Sequence, residues 1–283
     1  MPKGSPISLI ELTLSELAQH HNALPNMLDE SCTAVIVREA FPKSLMQKAC
    51  ERLSAKELES QLTSPNQGMP GGELLTLGAA ATPTMTALNG PKNEIYIESA
   101  QHAQEWENLI FGEFSVSAQV AKILAGLNQN KPAQPAPFQD PHLGQWLPFN
   151  YRILPPNTQI YSHHDMHYRL PIYDLLADGY NQKKLLSWFI TGQEALSGGE
   201  LIIYGLRSDD PHPPMLANRF VDTEALEKEY YKLNLDLKAG DFLIFNSGLH
   251  VHRVSAVQQK QSRITFGGFA TFALDQSHMI YWS

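Results

Sequence analysis

The stretch FNYRILPPNTQIYSHHD, residues 149–165, reads as a strand, a proline-bearing turn and a second strand that ends in His-x-Asp. Side chains two residues apart on a strand share a face, so His163 and Asp165 point together while His164 points away. Three histidines fall between Tyr161 and Tyr168, yet strand parity keeps them from acting as one cage, and His167 lies past the turn.

Outward from this stretch the texture persists. LLSWFIT, GELIIYG, LNLDLKAGDFLIFN, HVHRVSAV and RITFGGFATFAL are short β-rich runs divided by Gly, Pro, Asn or Asp. Such spacing predicts an antiparallel sandwich or barrel. Two insertions interrupt it. LPIYDLLADGYNQ is expected to hold a short helix, and the proline-rich start of residues 206–232 is expected to be a mobile loop at the barrel mouth.

Before residue 149 the pattern is mixed, with helices prominent. SLIELTLSELAQHHNAL spaces its apolar residues as a helix does, and TAVIVREAF reads as a strand. PKSLMQKACERLSAKELESQL opens on proline and predicts one amphipathic helix to about Leu62. A Gly/Pro-rich passage follows, with a short strand near residues 74–77, then more helix over residues 101–127. Residues 128–148 carry five prolines and are expected to form an extended surface connection. The fold class is therefore α+β. A mainly helical region, 1–148, packs on a β core, 149–283, the two forming one compact domain.

Composition narrows the function. A 283-residue chain with 43% hydrophobic residues can bury a substantial core. It contains no run of eighteen apolar residues and no basic-then-apolar leader, so the expected location is the cytoplasm, with no membrane partner. Its two cysteines, Cys32 and Cys50, cannot build a disulfide framework or a CxxC site. A formal charge of -8 without a Lys/Arg cluster argues against nucleic acid and for a small-molecule or protein substrate.

The strand HVHRV offers a second imidazole pair, His250 and His252. One of them, added to His163 and Asp165, would complete two histidines and a carboxylate on one face of a metal, the facial triad of non-haem iron oxygenases. His-x-Asp alone is common. Its context is less so: GGEL at residues 198–201, GDFLIF at 240–245, His-Arg-Val at 252–254, then Arg263 eleven residues after His252.

In that order, these motifs make residues 149–275 resemble the double-stranded β-helix (jelly-roll, cupin-like) of the Fe(II)/2-oxoglutarate-dependent oxygenases, in particular their prolyl-hydroxylase-like branch. The resemblance implies that His163, Asp165 and His252 ligate Fe(II) and that Arg263, with Thr265, receives the distal carboxylate of 2-oxoglutarate. A guanidinium suits that task because its planar fork makes two parallel bonds to a carboxylate. The spacing to Arg263 is one residue longer than is usual in the branch. Cupins, by contrast, place His-x-His first and a single histidine second.

GGFATFALDQSHMIYWS at the end of the chain and AVIVREAFP near its start resemble the freestanding, carrier-independent halogenases and hydroxylases of small natural products, including those of hapalindole-type alkaloids. In the halogenases glycine, occasionally alanine, stands where this chain has Asp165. A carboxylate there leaves no position for halide. The resemblance thus implies hydroxylation of an unactivated C–H bond in an amino acid derivative or natural product, with O2 consumed and 2-oxoglutarate converted to succinate and CO2. Ascorbate is expected to help in vitro, and no carrier protein is required. Desaturation or cyclisation, halogenase-like activity on an alkaloid, and peptide hydroxylation are the alternatives, and the chain is expected to be a monomer or homodimer.

Arg152 is expected to contact the co-substrate or a substrate carboxylate, if it is not simply salt-bridged in the barrel. Trp188 lines the barrel beside 2-oxoglutarate or fills its core. For the substrate wall the looser likeness nominates Leu77, Gly78, Ala79, Ala80, Ile160 and the 207–222 loop, with His167 and Arg169 at the mouth.

Overall fold

The computed structural model describes residues 2–65, 71–79, 81, 93–165, 170–217 and 220–283. The N-terminal part contains β1 (Leu9–Thr13), α1 (Ala23–Leu28), β2 (Ala34–Arg38), α2 (Lys43–Leu53), α3 (Lys56–Glu59), β3 (Leu62–Thr63) and β4 (Leu75–Leu77). Three helices follow, α4 (Asn93–Gln101), α5 (Ala103–Phe111) and α6 (Val116–Leu127), then β5 (Ala133–Pro135). The C-terminal part runs β6 (Asn150–Leu154), β7 (Ile160–His163), β8 (Leu186–Gln193), β9 (Leu201–Arg207), α7 (Thr223–Glu229), β10 (Lys232–Leu235), β11 (Phe242–Phe245), β12 (His250–Val254), β13 (Arg263–Phe272) and β14 (Met279–Trp282).

Among the described residues these strands make two sheets. The larger follows the order β1-β2-β11-β8-β13-β6-β4-β3, with β14 and β5 added beside β13, and the smaller follows β10-β9-β12-β7. Alternation along each strand sorts the side chains into layers. Ala34, Ile36, Leu243 and Phe245 of the larger sheet share one apolar cluster with Leu201, Ile203, Leu235 and Val254 of the smaller. Their neighbours Val35, Val37, Phe242 and Ile244 face the other way, onto Met46, Leu53, Ile123 and Leu124 of the helices. Two faced sheets therefore enclose a space between them, and the helices cover the larger sheet from outside. A strand covered on both faces can be apolar throughout, as FLIF of β11 is.

Several expectations for the N-terminal half change. β2 pairs with β11 and β4 with β6, so the first half supplies strands to the same sheet as the second. Residues 9–13 form a strand parallel to β2 where apolar spacing suggested helix; a five-residue run fits both periods, and the free edge of β2 decides. The long helix expected to Leu62 breaks at Ser54, whose N–H caps the carbonyl of Cys50, and α3 and β3 follow.

The proline-rich residues 128–148 run along the surface as expected, but they are anchored into the core. Ala136, Phe138, Trp146 and Leu147 are buried, and β5 lies parallel to β14. Prolines are tolerated there because β5 is an edge strand, with Pro135 as its last residue. Among the described residues no single helix is long and apolar enough to cross a membrane; the bent pair α5–α6 is apolar enough only when taken together, and most of its large apolar side chains, Trp106, Ile110, Phe111, Val120, Ile123 and Leu124 among them, lie in the core.

Candidate metal centre and active site

β7 and β12 lie side by side and antiparallel in the smaller sheet, with His163 opposite His252. Both imidazoles project into the space between the sheets, and the chain leaving β7 brings in Asp165. Nε2 of His163 is 3.7 Å from Oδ1 of Asp165, and Nε2 of His252 is 3.8 Å from Oδ2. Ligand atoms of all three lie within 4.8 Å of one another, as donors around one ion do.

The tautomers are set from behind. Nδ1 of His163 is 2.7 Å from the Tyr161 carbonyl and Nδ1 of His252 is 3.0 Å from the His250 carbonyl. A carbonyl only accepts, so each Nδ1 carries the proton and each Nε2 offers a lone pair forward. Backbone partners of this kind orient metal-bound histidines. Burial, reinforced by the neighbouring His163, pushes the imidazolium pKa of His252 down to about 3, so the ring is neutral and ready to ligate. Asp165 is buried and accepts a 2.6 Å bond from the Ser187 hydroxyl of β8, while its N–H donates to the Ser247 carbonyl.

His250 takes no part. Its Nδ1 bonds the Tyr204 carbonyl at 3.1 Å, and the side chain lies apart from the group. Of the two candidates in HVHRV, the structure brings only His252 to His163 and Asp165. His164 is likewise outside the group.

Facing these three residues, the larger sheet presents Arg152 of β6 and Arg263 and Thr265 of β13, with Arg152 directly opposite Thr265. All three line the same cavity as His163, Asp165 and His252, whose apolar walls include Leu74, Ile160, Phe245 and Val254. Burial, with the like charge of Arg152 added, lowers the Arg263 pKa to about 10. Burial lowers that of Arg152 too, against the opposing pull of Asp165. Arg263 lies over the Phe189 ring, 5.0 Å from its centroid. Among the described residues neither guanidinium has a carboxylate within ion-pair distance. Both arginines are half-buried, and two cations lining one cavity without a carboxylate partner make a wall suited to anions.

The other nominated residues divide. Ile160 lines this cavity. Trp188 only touches it: the indole is buried, stacked on Phe242, and its Nε1 donates to the Phe269 carbonyl. Leu77 is buried in the core beneath the larger sheet, and Gly78 and Ala79 line a separate cavity with Thr63, Ser99, His102 and Trp106. The cause is a turn at Gly78, whose φ of +79° sends the chain away from β4 and whose missing Cβ leaves room for the Trp106 ring. Leu74 stands where these residues were expected. Ala80, His167 and Arg169, with part of the 207–222 loop, lie outside the described residues. Ser187, which the sequence reading missed, had one faint signal: a lone hydroxyl in the apolar run LLSWFIT.

Two faced sheets, a group of two histidines and one carboxylate, and two arginines across the cavity define the class: an iron- and 2-oxoglutarate-dependent oxygenase. Within that class the family is clear. The profile of the carrier-protein-independent halogenase WelO5 matches residues 6–283, so the chain belongs to the WelO5 family.

Among solved structures, the N-substituted L-amino acid dioxygenase of Burkholderia ambifaria is similar, with a TM-score of 0.54 at 14% identity over 95% of this chain and 91% of that one. The same enzyme in complex with alpha-KG gives 0.51 at 13% identity, over 92% and 90%. At such identities the likeness is one of fold. No curated protein matches the sequence.

Proposed function

We propose that this chain transfers oxygen and not halogen: it is a dioxygenase that hydroxylates an unactivated C–H bond of a small soluble metabolite. Iron(II) with 2-oxoglutarate and O2 supplies the oxidising power when bound, and succinate and CO2 are the co-products.

His163, Asp165 and His252 hold the metal through Nε2, a carboxylate oxygen and Nε2. Arg263 and Thr265 receive the distal carboxylate of 2-oxoglutarate. Arg152, beside them, takes a second carboxylate, of the co-substrate or of the substrate. Ser187 fixes the orientation of Asp165, and the apolar walls exclude water from the reacting C–H bond.

The observation that carries this reading is the carboxylate of Asp165, 3.7 and 3.8 Å from the two bare imidazole nitrogens. It occupies the third protein position at the metal, which a halogenase leaves open for halide. The family's description, a carrier-protein-independent halogenase, favours the second reading, halogenation; an alkaloid-type natural product as its substrate is what the resemblance implies. The N-substituted amino acid substrate of the Burkholderia ambifaria enzyme supports an amino acid derivative as the first choice.

One experiment separates the readings. Protein loaded with Fe(II), 2-oxoglutarate, ascorbate and O2 in chloride-containing buffer is offered a metabolite panel, and succinate and product masses are recorded. Products gaining one oxygen atom support hydroxylation, products exchanging hydrogen for chlorine support the second reading, and absence of succinate with every compound would overturn both.

A further inference from the structure

The outer face of the smaller sheet carries a polar cluster on the side away from His163 and His252. Arg253 of β12 sits between Tyr204 of β9 and Glu227 of α7: its Nε donates to the Tyr204 hydroxyl at 2.7 Å and its NH2 group to Glu227 Oε1 at 2.6 Å. The Tyr204 hydroxyl also donates to Glu227 Oε1, and Lys232 pairs with Oε2. Beneath them the buried Leu226 seats α7 on Ile202, Tyr204, Leu206 and Val251. At the start of α7, Thr223 bonds the Ser162 hydroxyl at 3.0 Å.

Each anchor is the immediate neighbour of a candidate metal ligand. Ser162 precedes His163 and Arg253 follows His252, so alternation sends these side chains outward as the imidazoles go inward. The cluster also joins the bonds that orient His252. Tyr204, gripped at its hydroxyl, offers its carbonyl to Nδ1 of His250, and the His250 carbonyl accepts Nδ1–H of His252. Between these two histidines the β12–β9 register shifts, so the ladder there is not regular and lateral restraint from side chains matters more.

We propose that Tyr204, Glu227 and Arg253 are positioning residues for the metal centre, through which the inserted helix α7 clamps β9 and β12 and fixes the direction in which His252 presents Nε2. The proposal rests on the reading of His163, Asp165 and His252 as metal ligands.

Its test is Co(II) titration of metal-free full-length protein, followed by visible absorption. Arg253→Met should bind Co(II) about 10- to 100-fold more weakly than wild type, the usual effect of removing a group that orients a ligand. The absorption bands should also change. Arg253→Lys, which keeps the charge but not the fork, should recover part of the affinity. Leu124→Ala, a cavity in distant α6, should lower the melting temperature yet leave Co(II) affinity within about twofold, as independent sites do.

Unchanged affinity in Arg253→Met would overturn the proposal, and so would equal losses in Arg253→Met and Leu124→Ala, which would mark a general stability effect. Should Arg253→Met fail to fold, Tyr204→Phe, which removes one hydroxyl, carries the test with the same criteria. Failure of the wild-type protein to bind Co(II) would instead overturn the metal reading itself.

Discussion

His163 and His252 stand opposite each other across the β7–β12 ladder, their ring centroids 4.3 Å apart, although 89 residues separate them in the chain. Cross-strand pairing alone thus delivers both imidazoles to one point. The third member of the group, Asp165, comes from just beyond the end of β7, and the proposed choice of oxygen over halogen rests on it.

Replacing that donor tests the proposed function. Asp165→Gly should reduce hydroxylation by at least about 100-fold, since loss of a ligand costs no less than loss of its supporting groups. With chloride or bromide present it should gain weak halogenation. Product mass spectrometry reads both outcomes, and full hydroxylation by the variant would show that Asp165 does not ligate.

Arg263→Met should raise the KM for 2-oxoglutarate strongly. Truncating one partner of a buried charge pair costs about 2–5 kcal/mol, equivalent to roughly 30-fold or more in affinity. Co(II) affinity should stay near that of wild type, because Arg263 belongs to the opposite sheet. Arg263→Lys should fall between the two, keeping the charge without the bidentate fork. A KM unchanged in Arg263→Met would exclude the assigned role.

Acid stability should depend on Glu227. Burial opposes its ionisation, but bonds from Arg253, Lys232 and Tyr204 outweigh that and draw its pKa from 4.5 to about 2. A carboxyl more acidic in the folded state adds stability above its unfolded pKa and loses it as pH falls through the folded value. Wild type should therefore exceed Glu227→Gln most above about pH 4.5, and the gap should close towards pH 2. Urea unfolding across that range measures it; a gap independent of pH would contradict the assignment.

Neither cysteine should react in the native state. Burial pushes the Cys32 thiol up to about 11 and the Cys50 thiol up to about 12, leaving almost no thiolate at pH 8. A colorimetric disulfide reagent should titrate both only after denaturation. Rapid labelling of folded protein would show that one of the two sites opens.

The candidate site was more legible in the sequence than the fold around it. Parity over two residues placed His163 and Asp165 on one face without any long-range information, and the order of His-x-Asp, His-Arg-Val and Arg263 supplied the rest by resemblance. Tertiary pairing was harder to see. Residues 9–13 are a strand because β2 offers an edge, and Ala136, Phe138 and Trp146 of the proline-rich stretch are buried because β14 and the aromatic cluster around Trp146 cover them. Ser187 escaped notice for a similar reason: its partner Asp165 lies 22 residues away, just beyond the end of β7. Leu77, Gly78 and Ala79 lie apart from the cavity of His163 and His252 because the chain turns at Gly78, a bend their apolar pattern did not announce.

The donors are also shared between the layers. Both histidines belong to the smaller sheet, whereas Asp165 is clasped by Ser187 of the larger, and Arg263 projects from the larger towards all three. Any ion held by the three residues would therefore be a rivet through the sandwich, and a dianion held by Arg263, as proposed above, would add a second. Ligands that engage only the folded state raise its stability in proportion to the logarithm of their concentration. Loading the site and tightening the fold are, in this molecule, one equilibrium.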